Sequence, residues 1–600
     1  MKKIFLLLML VCAVCSHAAS YGILVNGSMY FAGEPAGEYE GFQQYLAHVQ
    51  VANGDRLQLY DVEYQAAWAV DLNTYSVEGF TRDGDHFNAT VSGCYDFYIK
   101  LKYGEDELYI GNGANCGEGE DIHDVYRGAV PAQCEAVMMQ AFYNESYSAT
   151  SPGVSEYGDT KWTTLTAQAD ELGKYFDYLW LPPSAYGDGA GYHPKQYSNQ
   201  NSNWGTRAEL EALISALHNA GAKVVADIVI NHCANKSTWC DFYEMDFGEY
   251  GVFHPDETYI CANDEVNAEW NQPTETSEGS GDCWGTASGS MDDGENWDGA
   301  RDWSHDNVYV QQMFIAYLQW MRNVMHYDGF RYDKGDGFNN WHHYNYNKHA
   351  KPEIAFMECY AGTDEIQNRI NGASGDLMGL DFDLKWHVFN SFAGWDYSRG
   401  RGDCIMSRGD GKHSVTFIES HDWFLRPDNE NEFGGRGNSM TPALKARLMQ
   451  ANAFLLSMPG VPCVFYPHWV KYKAELKPMI TARKWAGVHS ESEVKDEYST
   501  PTGYQATVVG HNGWLILCLG DRANQQGFEG FTLAASNYST QEGHNESFEI
   551  WVNSSTPRPN PEDLEKVQGN QVPSTKYLQD GQLLIKVGER VYDIFGKRIK

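Results

Sequence analysis

The chain has 600 residues, of which 42% are hydrophobic and 14% aromatic; this exceeds one ordinary domain and suffices for a sizeable core, so a multidomain globular protein is expected. The formal charge of −37 argues against nucleic acid or an anionic membrane as partner, because phosphate recognition needs clustered Lys and Arg, and it is compatible with a neutral polymer substrate.

Residues 1–19 carry Lys2 and Lys3, an apolar run from Ile4 to Val14, and the small-residue signal Ser16-His17-Ala18-Ala19. That pattern predicts a secretory signal peptide cut after Ala18 or Ala19. Neither Cys12 nor Cys15 follows the small residue that a lipoprotein signal requires, and no later run is long enough to span a membrane. The mature chain is therefore expected to be secreted: extracellular, periplasmic or associated with the cell surface. Removing Cys12 and Cys15 from the 13 cysteines leaves an odd number, so at least one mature thiol is unpaired or pairs between molecules. Cys94 with Cys116, Cys233 with Cys240, and Cys261 with Cys283 are candidate local bridges. The only C-x-x-C lies inside the signal peptide, which argues against zinc.

From residue 20 to 119, short alternating runs such as Tyr21 to Val25, Arg56 to Tyr60 and Tyr95 to Leu101 predict a β-sandwich. Trp68, Tyr95, Tyr98 and Tyr109 could either form a platform that stacks on sugar rings, making a carbohydrate-binding module, or fill the core. Gly117 to Asp121 reads as a linker. Residues 136–486 alternate apolar strands with helical spacing. The strands are Ala136 to Phe142, Phe176 to Leu181, the apolar stretch from Lys223 that ends in Asn231-His232, the first half of Tyr327 to Gly337 with Asp333 at its end, Ile354 to Met357, Leu380 to Phe382, Ser414 to Ile418 and Val461 to Phe465. Among the helices, Thr206 and Glu209 form a capping box before Leu210, Leu213, Ile214 and Leu217, and Asn307 to Val324 is expected to be the longest. Eight strands alternating with helices predict an α/β fold, a (β/α)8 TIM barrel. The aperiodic, Gly- and Asp-rich residues 233–306 form a long loop domain after the third strand. Residues 487–553 return to β alternation, 554–576 read as a Pro-rich linker, and 577–600 as a short sorting-like tail.

Four of the barrel strands end in polar groups: Asp227 to His232, Asp333, Glu358, and His421-Asp422. In a parallel barrel such ends gather at one catalytic face. Asp and Gly after a strand more often make an ordinary turn, so a single stretch proves little. At the fourth strand, however, Arg331 shares a face with Asp333 by the period-two rule, so it can hold that carboxylate ionised and aimed. Glu358 closes an apolar strand, a setting that favours a protonated acid.

These four ordered stretches, together with Phe176 to Pro183 and Gly191-Tyr192-His193-Pro194, resemble the α-amylase family of glycoside hydrolases, family thirteen, and within it the plant-type enzymes. The resemblance covers roughly the middle two thirds of the chain. It implies a retaining hydrolase acting as a monomer on an α-glucan polysaccharide or oligosaccharide, with Asp333 as nucleophile, Glu358 as general acid and base, and Asp422 as the third acid. It also implies that Tyr192 stacks on the sugar, that His232 and His421 bond its hydroxyls, and that Arg331 serves the nucleophile while braced by Asp227. A structural Ca2+ is implied at Asn231, Asp302 and the backbone carbonyl of Gly337, in a loop whose Asp and Asn supply suits that ion.

Some positions depart from the pattern. Lys334 is adjacent to Asp333, and Asp336 stands where the family places Lys or His; Trp423 to Arg426 replaces smaller residues. These departures bear on product size and subsite preference and leave the chemistry alone. His342, His343 and His349 suggest a transition-metal site, but without a matching carboxylate pattern they read as a surface loop. Endo-hydrolysis of α-1,4 links in starch or glycogen is the first reading. A transglycosylase or branch-point hydrolase would use the same residues, and a glycan-binding surface protein without activity is opposed by the intact acids.

Overall fold

A computed structural model describes residues 21–25, 28–31, 34–39, 42–61, 66–68, 71–72, 79–83, 86–100, 107–112, 128–151, 153–234, 236, 241–263, 288–295, 300–422, 424, 442–525, 528–537, 546–559, 574–579, 582–587 and 590–593. The chain forms two compact units that divide after Arg127.

The first unit is a β-sandwich. One sheet contains Tyr21–Val25, Ser28–Phe31, Arg56–Asp61, Ala66–Trp68, Phe80–Asp83 and His86–Ala89; the other contains Glu34–Tyr39, Phe42–Val51, Asp71–Leu72, Gly93–Lys100 and Glu107–Asn112. Alternation along Gly93–Lys100 sends Tyr95, Phe97 and Ile99 inward, where they join Val49, Ile23, Leu57 and Leu59 in one buried cluster. Tyr95 therefore takes the core option, packing edge-on against Phe80 at 5.0 Å, while Tyr98 faces the other way and is half-buried. The side chains of Trp68 and Tyr109 lie outside the described set, as do the signal peptide and the linker from Gly117 to Asp121.

The second unit centres on a closed barrel of eight parallel strands: β1 (Met138–Gln140), β2 (Tyr178–Leu181), β3 (Lys223–Ile228), β4 (Gly329–Tyr332), β5 (Ile354–Met357), β6 (Met378–Leu380), β7 (Ser414–Phe417) and β8 (Val461–Phe465). All residues of β2, β4, β5, β7 and β8 are buried, as expected of strands covered on both faces. The sixth strand lies two residues earlier than the sequence suggested. Just beyond it Asp381 still donates its N–H to Val415 O (3.0 Å), while its carboxylate accepts from Met406 N (3.0 Å) and Ser414 Oγ (2.7 Å).

The helix Arg207–Asn219 starts at the expected capping box, with Thr206 and Glu209 each bonded to the other's backbone N–H. Asn307 caps Val308–Asn323 through Tyr309 N at 2.9 Å. With 16 residues it ties with Pro442–Ser457 as the longest unbroken helix described; Tyr466–Ala486 spans more residues but is two helices joined at a kink, where Tyr472 leaves helical geometry (φ −128°, ψ 34°), packed between the barrel and the following sheet. Between β1 and β2 lie two short helices, Trp162–Thr166 and Ala169–Tyr175.

Glu493–Thr500, Gly503–Val509, Gly513–Gly520, Thr532–Ser536 and Phe548–Ser554 form an antiparallel five-stranded sheet after the barrel, and Ser574–Gln579, Gln582–Val587 and Arg590–Asp593 form a further three-stranded sheet. No helix among the described residues is long and apolar enough to cross a membrane. Cys94 is disulfide-bonded, to a partner outside the described residues. The expected bridge from Cys233 to Cys240 is corrected: Cys233 is a buried thiol that donates to Pro194 O at 3.1 Å. Cys283, the partner expected for Cys261, lies outside the described residues.

Candidate active site

Register brings Asp227 of β3 beside Arg331 of β4, and the period of two puts Arg331 and Asp333 on the same face. Arg331 is fully buried and acts as a hub. Its Nη1 donates to Asp227 Oδ1 (2.7 Å) and Asp333 Oδ1 (2.7 Å), while Nη2 donates to Glu358 Oε2 (2.6 Å). The other Asp227 oxygen accepts from Trp180 Nε1 (3.0 Å) and Tyr192 OH (2.8 Å). Asp227 thus braces the arginine with a fully buried carboxylate, whereas Asp333 and Glu358 keep 11% and 19% of their side-chain surface open to the mouth. Two partly open carboxyls on one planar cation are short, charge-assisted contacts that fix both position and direction.

The electrostatics correct one expectation. Arg331 was expected to hold Asp333 ionised, but burial pushes the Asp333 carboxyl well up against the pull of Arg331, and Glu358, Asp227 and Asp422 add repulsion in the same direction as burial. Asp227 is raised to about 6 by burial, against the pull of the same guanidinium. Several acids around a single cation cannot all ionise cheaply, so the cluster retains a proton. Arg331 itself is held firmly protonated, the carboxylates overcoming its desolvation.

Above this layer, Tyr192 and His421 lie ring to ring, 5.0 Å apart and 11° from parallel. Gln140, at the end of β1, fixes His421 by a 2.7 Å bond between Nε2 and Nδ1, and His421 Nε2 stands 3.4 Å from Asp422 Oδ1. His232 Nε2 lies 2.8 Å from the Tyr192 carbonyl oxygen; burial drives its pKa down to about 3, so the ring is neutral and Nε2 carries the proton. Its Nδ1 lies 3.4 Å from Asn231 Nδ2.

Lys334, directly after Asp333, adopts a left-handed backbone (φ 44°) and turns its side chain to Asp336 at 2.9 Å. Trp423, Leu425 and Arg426 lie outside the described residues.

Asn231, Asp302 and Gly337 converge beside this mouth. Asp302 pairs in register with His232 across a two-stranded ladder, and Trp303 N donates to Asn231 O at 2.9 Å. Asn231 Oδ1 is buried with no hydrogen-bond partner among the described residues. A Cβ on Gly337 would fall 1.9 Å from that oxygen, so only glycine permits this approach. Asp302 also clusters with Cys261 and Asp292, their ligand atoms all within 4.8 Å of one another. An orphaned amide oxygen, a buried carboxylate and a bare backbone suit a hard cation that takes oxygen ligands.

Three contributors escaped the sequence reading: Gln140, Trp180 and the buried pair of Lys385 with Glu419, whose Nζ and Oε1 are 3.8 Å apart. Gln140 was findable, as the single polar residue in Met138-Met139-Gln140-Ala141-Phe142; Lys385 was not, because nothing local marks it as buried. A correction falls on the histidines read as a surface loop. His342 and His343 are 2% and 0% exposed, on the helix Trp341–Ala350.

A parallel barrel with paired carboxyls on a buried arginine at its C-terminal mouth defines an enzyme of the glycoside hydrolase class, and comparison with known proteins agrees. A family model described as "Alpha amylase, catalytic domain" matches residues 169–368. The chain is 24% identical over 448 residues to "Probable alpha-amylase 2" of Arabidopsis thaliana, covering 70% of this chain and 96% of that one. It is 27% identical to "Alpha-amylase 3, chloroplastic" of the same plant, covering 57% of this chain and 38% of that one. It is 30% identical to "Alpha-amylase type B isozyme" of Hordeum vulgare, over 20% of this chain and 72% of that one. The chain belongs to the α-amylase family of glycoside hydrolases.

Proposed function

We propose that the protein is an exported, retaining α-amylase that hydrolyses internal α-1,4 links of starch, glycogen and related α-glucans. The grip of Arg331 on both Asp333 and Glu358 carries the reading. Retaining cleavage needs a nucleophile and an acid about 5–5.5 Å apart. Two carboxyls bound to the two terminal nitrogens of one guanidinium suit that spacing. In the first step Asp333 attacks the anomeric carbon and the glycosidic bond breaks, with Glu358 giving its proton to the leaving oxygen. In the second, Glu358 takes a proton from water while the water oxygen attacks the same carbon, and Asp333 leaves. Positive charge growing at the sugar carbon makes an ionised Asp333 cheaper than it is in the empty site.

In this reading Asp422 bonds the sugar hydroxyls and faces the cationic transition state. Tyr192 stacks on the ring in line with His421. His421 and His232 bond hydroxyls. Glu358→Gln and Asp333→Asn test the assignment. Each should lower starch hydrolysis by at least about 1000-fold with the fold intact, and the first product seen by NMR should be the α anomer. Activity within about tenfold of wild type, or early β product, refutes it; transfer of glucosyl units to added maltose as the main reaction favours the transglycosylase alternative.

Asn231, Asp302 and the carbonyl of Gly337 would hold the structural Ca2+, whose contribution is to fix the loop domain against the nucleophile's strand. Excess chelator should then lower the melting temperature of the whole protein, since the ion binds only the folded state. The sandwich at residues 20–119 would supply a second grip on the polymer. Its deletion should weaken adsorption to granular starch and leave hydrolysis of short maltooligosaccharides unchanged. Export by the leader at residues 1–19 and a monomeric state complete the proposal.

A further inference from the structure

A second cluster of metal-ligating groups lies outside the catalytic network and outside the calcium set. Asp293, Asp306 and His342 come from three separate segments, the loop 288–295, the turn before Val308–Asn323 and the helix Trp341–Ala350, yet their ligand atoms all fall within 4.8 Å of one another. His342 Nε2 stands 3.3 Å from Asp306 Oδ1 and 4.0 Å from Asp293 Oδ2. The first distance is long for a charge-assisted hydrogen bond, which closes to about 2.7–2.9 Å. It is close to the separation of two donors that each stand about 2.1 Å from one tetrahedral ion.

The histidine is committed to this point. It is 2% exposed and packed beside Tyr346 and Trp341, and its Nδ1 meets no partner among the described residues. Its polar contacts are therefore all at Nε2, toward the two acids. Asp293 is aimed in turn, its Oδ1 accepting from Asn339 N at 3.0 Å, which leaves Oδ2 for the cluster. Burial and the charges of Asp306 and Asp292 all disfavour its ionised form, an excess of negative charge that a divalent cation would relieve.

We propose that Asp293, Asp306 and His342 form a second metal site that takes a borderline divalent transition-metal ion such as Zn2+. One imidazole with two carboxylates suits such an ion better than Ca2+, which prefers oxygen alone, and the two exposed acids leave room for water to complete the shell. The lack of a mature C-x-x-C argues only against thiolate sites and has no bearing on this one. The site would pin the loop 288–295 to the helix Trp341–Ala350. Within that loop Gly294 packs so tightly on Gly337 that a Cβ there would fall 2.1 Å from the Gly337 carbonyl carbon. Occupancy would therefore brace the backbone that follows the nucleophile.

The test uses the full-length mature protein, stripped with chelator and then dialysed into millimolar Ca2+. Titration calorimetry with ZnCl2 should show one tight equivalent that survives the calcium excess, and Zn2+ should raise the melting temperature. His342→Gln and Asp306→Asn should each weaken that equivalent by at least about 100-fold while leaving the calcium-dependent part of the melting temperature in place. Asp306 has a 56% exposed side chain, so its variant carries the test should His342→Gln fail to fold. No tight zinc uptake by the wild type, displacement of zinc by millimolar Ca2+, or equal affinity in wild type and Asp306→Asn would each overturn the proposal.

Discussion

The two ends of the barrel each bury an arginine completely, and they use it in opposite ways. At the C-terminal mouth Arg331 meets three carboxyls, which hold it firmly protonated. At the other end Arg483, in the helix Tyr466–Ala486, meets backbone oxygens: Met458 O at 2.7 Å, Gly460 O at 2.9 Å and Leu456 O at 3.4 Å. With no carboxylate among these partners, burial brings Arg483 down to about 10. It caps the carbonyls that end Pro442–Ser457 and holds the start of β8, where Gly460 precedes Val461. The same side chain thus serves as structural glue against neutral acceptors and as a centre for chemistry against acids. The difference lies in the partners, in keeping with a fold whose C-terminal face reacts and whose N-terminal face stabilises.

Replacing Arg331 by lysine should have the largest effect. A single ammonium cannot reproduce the fork that reaches Asp333 and Glu358 at once, so kcat should fall about 1000-fold, an amount typical of losing fixed electrostatic support. A loss of less than tenfold in a starch assay would show that the hub is dispensable. Arg483→Met should do the converse. Stranding at least two short carbonyl contacts should cost about 4 kcal/mol, read as a lower denaturant midpoint, with kcat/KM on maltooligosaccharides within about twofold of wild type. If Arg483→Met impaired catalysis as much as stability, the two ends would not be separable.

Proton linkage sharpens the contrast. Asp227 titrates near 6 in the folded state and near 4 when unfolded, so between these values the fold holds a proton that the unfolded chain has released. Stability from this group is full below about pH 4 and is lost as pH rises through 6, by up to about 3 kcal/mol for two units of displacement. His232, neutral in the fold with its pKa at about 3, works in the opposite sense: its contribution is present above pH 6.5 and is lost on acidification. Subtracting the stability of Asp227→Asn from that of wild type isolates the first effect, and the difference should fall from pH 4 to 6. The same subtraction with Arg483→Met should stay flat, since no acid is bonded to that guanidinium.

Sequence patterns made much of this legible, and unevenly so. Strand ends and their polar residues were visible because period two and turn residues are local, which is how Asp227, Arg331, Asp333 and Glu358 came to be read as one mouth. Direction of titration was not visible: the neighbour rule for Arg331 and Asp333 leaves out the burial and the other acids that reverse its outcome. Arg483 was silent, because nothing in its own stretch of sequence shows that its guanidinium meets the carbonyls of Leu456, Met458 and Gly460, which come earlier in the chain and join it only in the fold. His342 was misread for a related reason, since Asp293 and Asp306 lie 49 and 36 residues before it and meet it only in the fold.

The smallest effect concerns the backbone beside each arginine. Around Arg483 the left-handed positions are glycines, Gly460 (φ 85°) and Gly487 (φ 69°), which adopt that region without a steric penalty. Beside Arg331 the left-handed position is Lys334 (φ 44°), a residue that bears about 1–2 kcal/mol of strain there. The turn brings Lys334 N to 3.4 Å from Glu358 Oε2 and its Nζ to Asp336. Lys334→Gly removes the strain and adds back some chain entropy on unfolding, so a net stabilisation of about 0.5 kcal/mol is expected. A looser turn should hold Glu358 less well, lowering kcat a few-fold, whereas Lys334→Ala keeps the backbone restriction and removes only the ammonium. If Lys334→Gly and Lys334→Ala lower kcat equally, the side chain is what matters. If only the glycine variant does, the strained backbone next to the nucleophile helps to aim the acid, a task that has no counterpart at the Arg483 end.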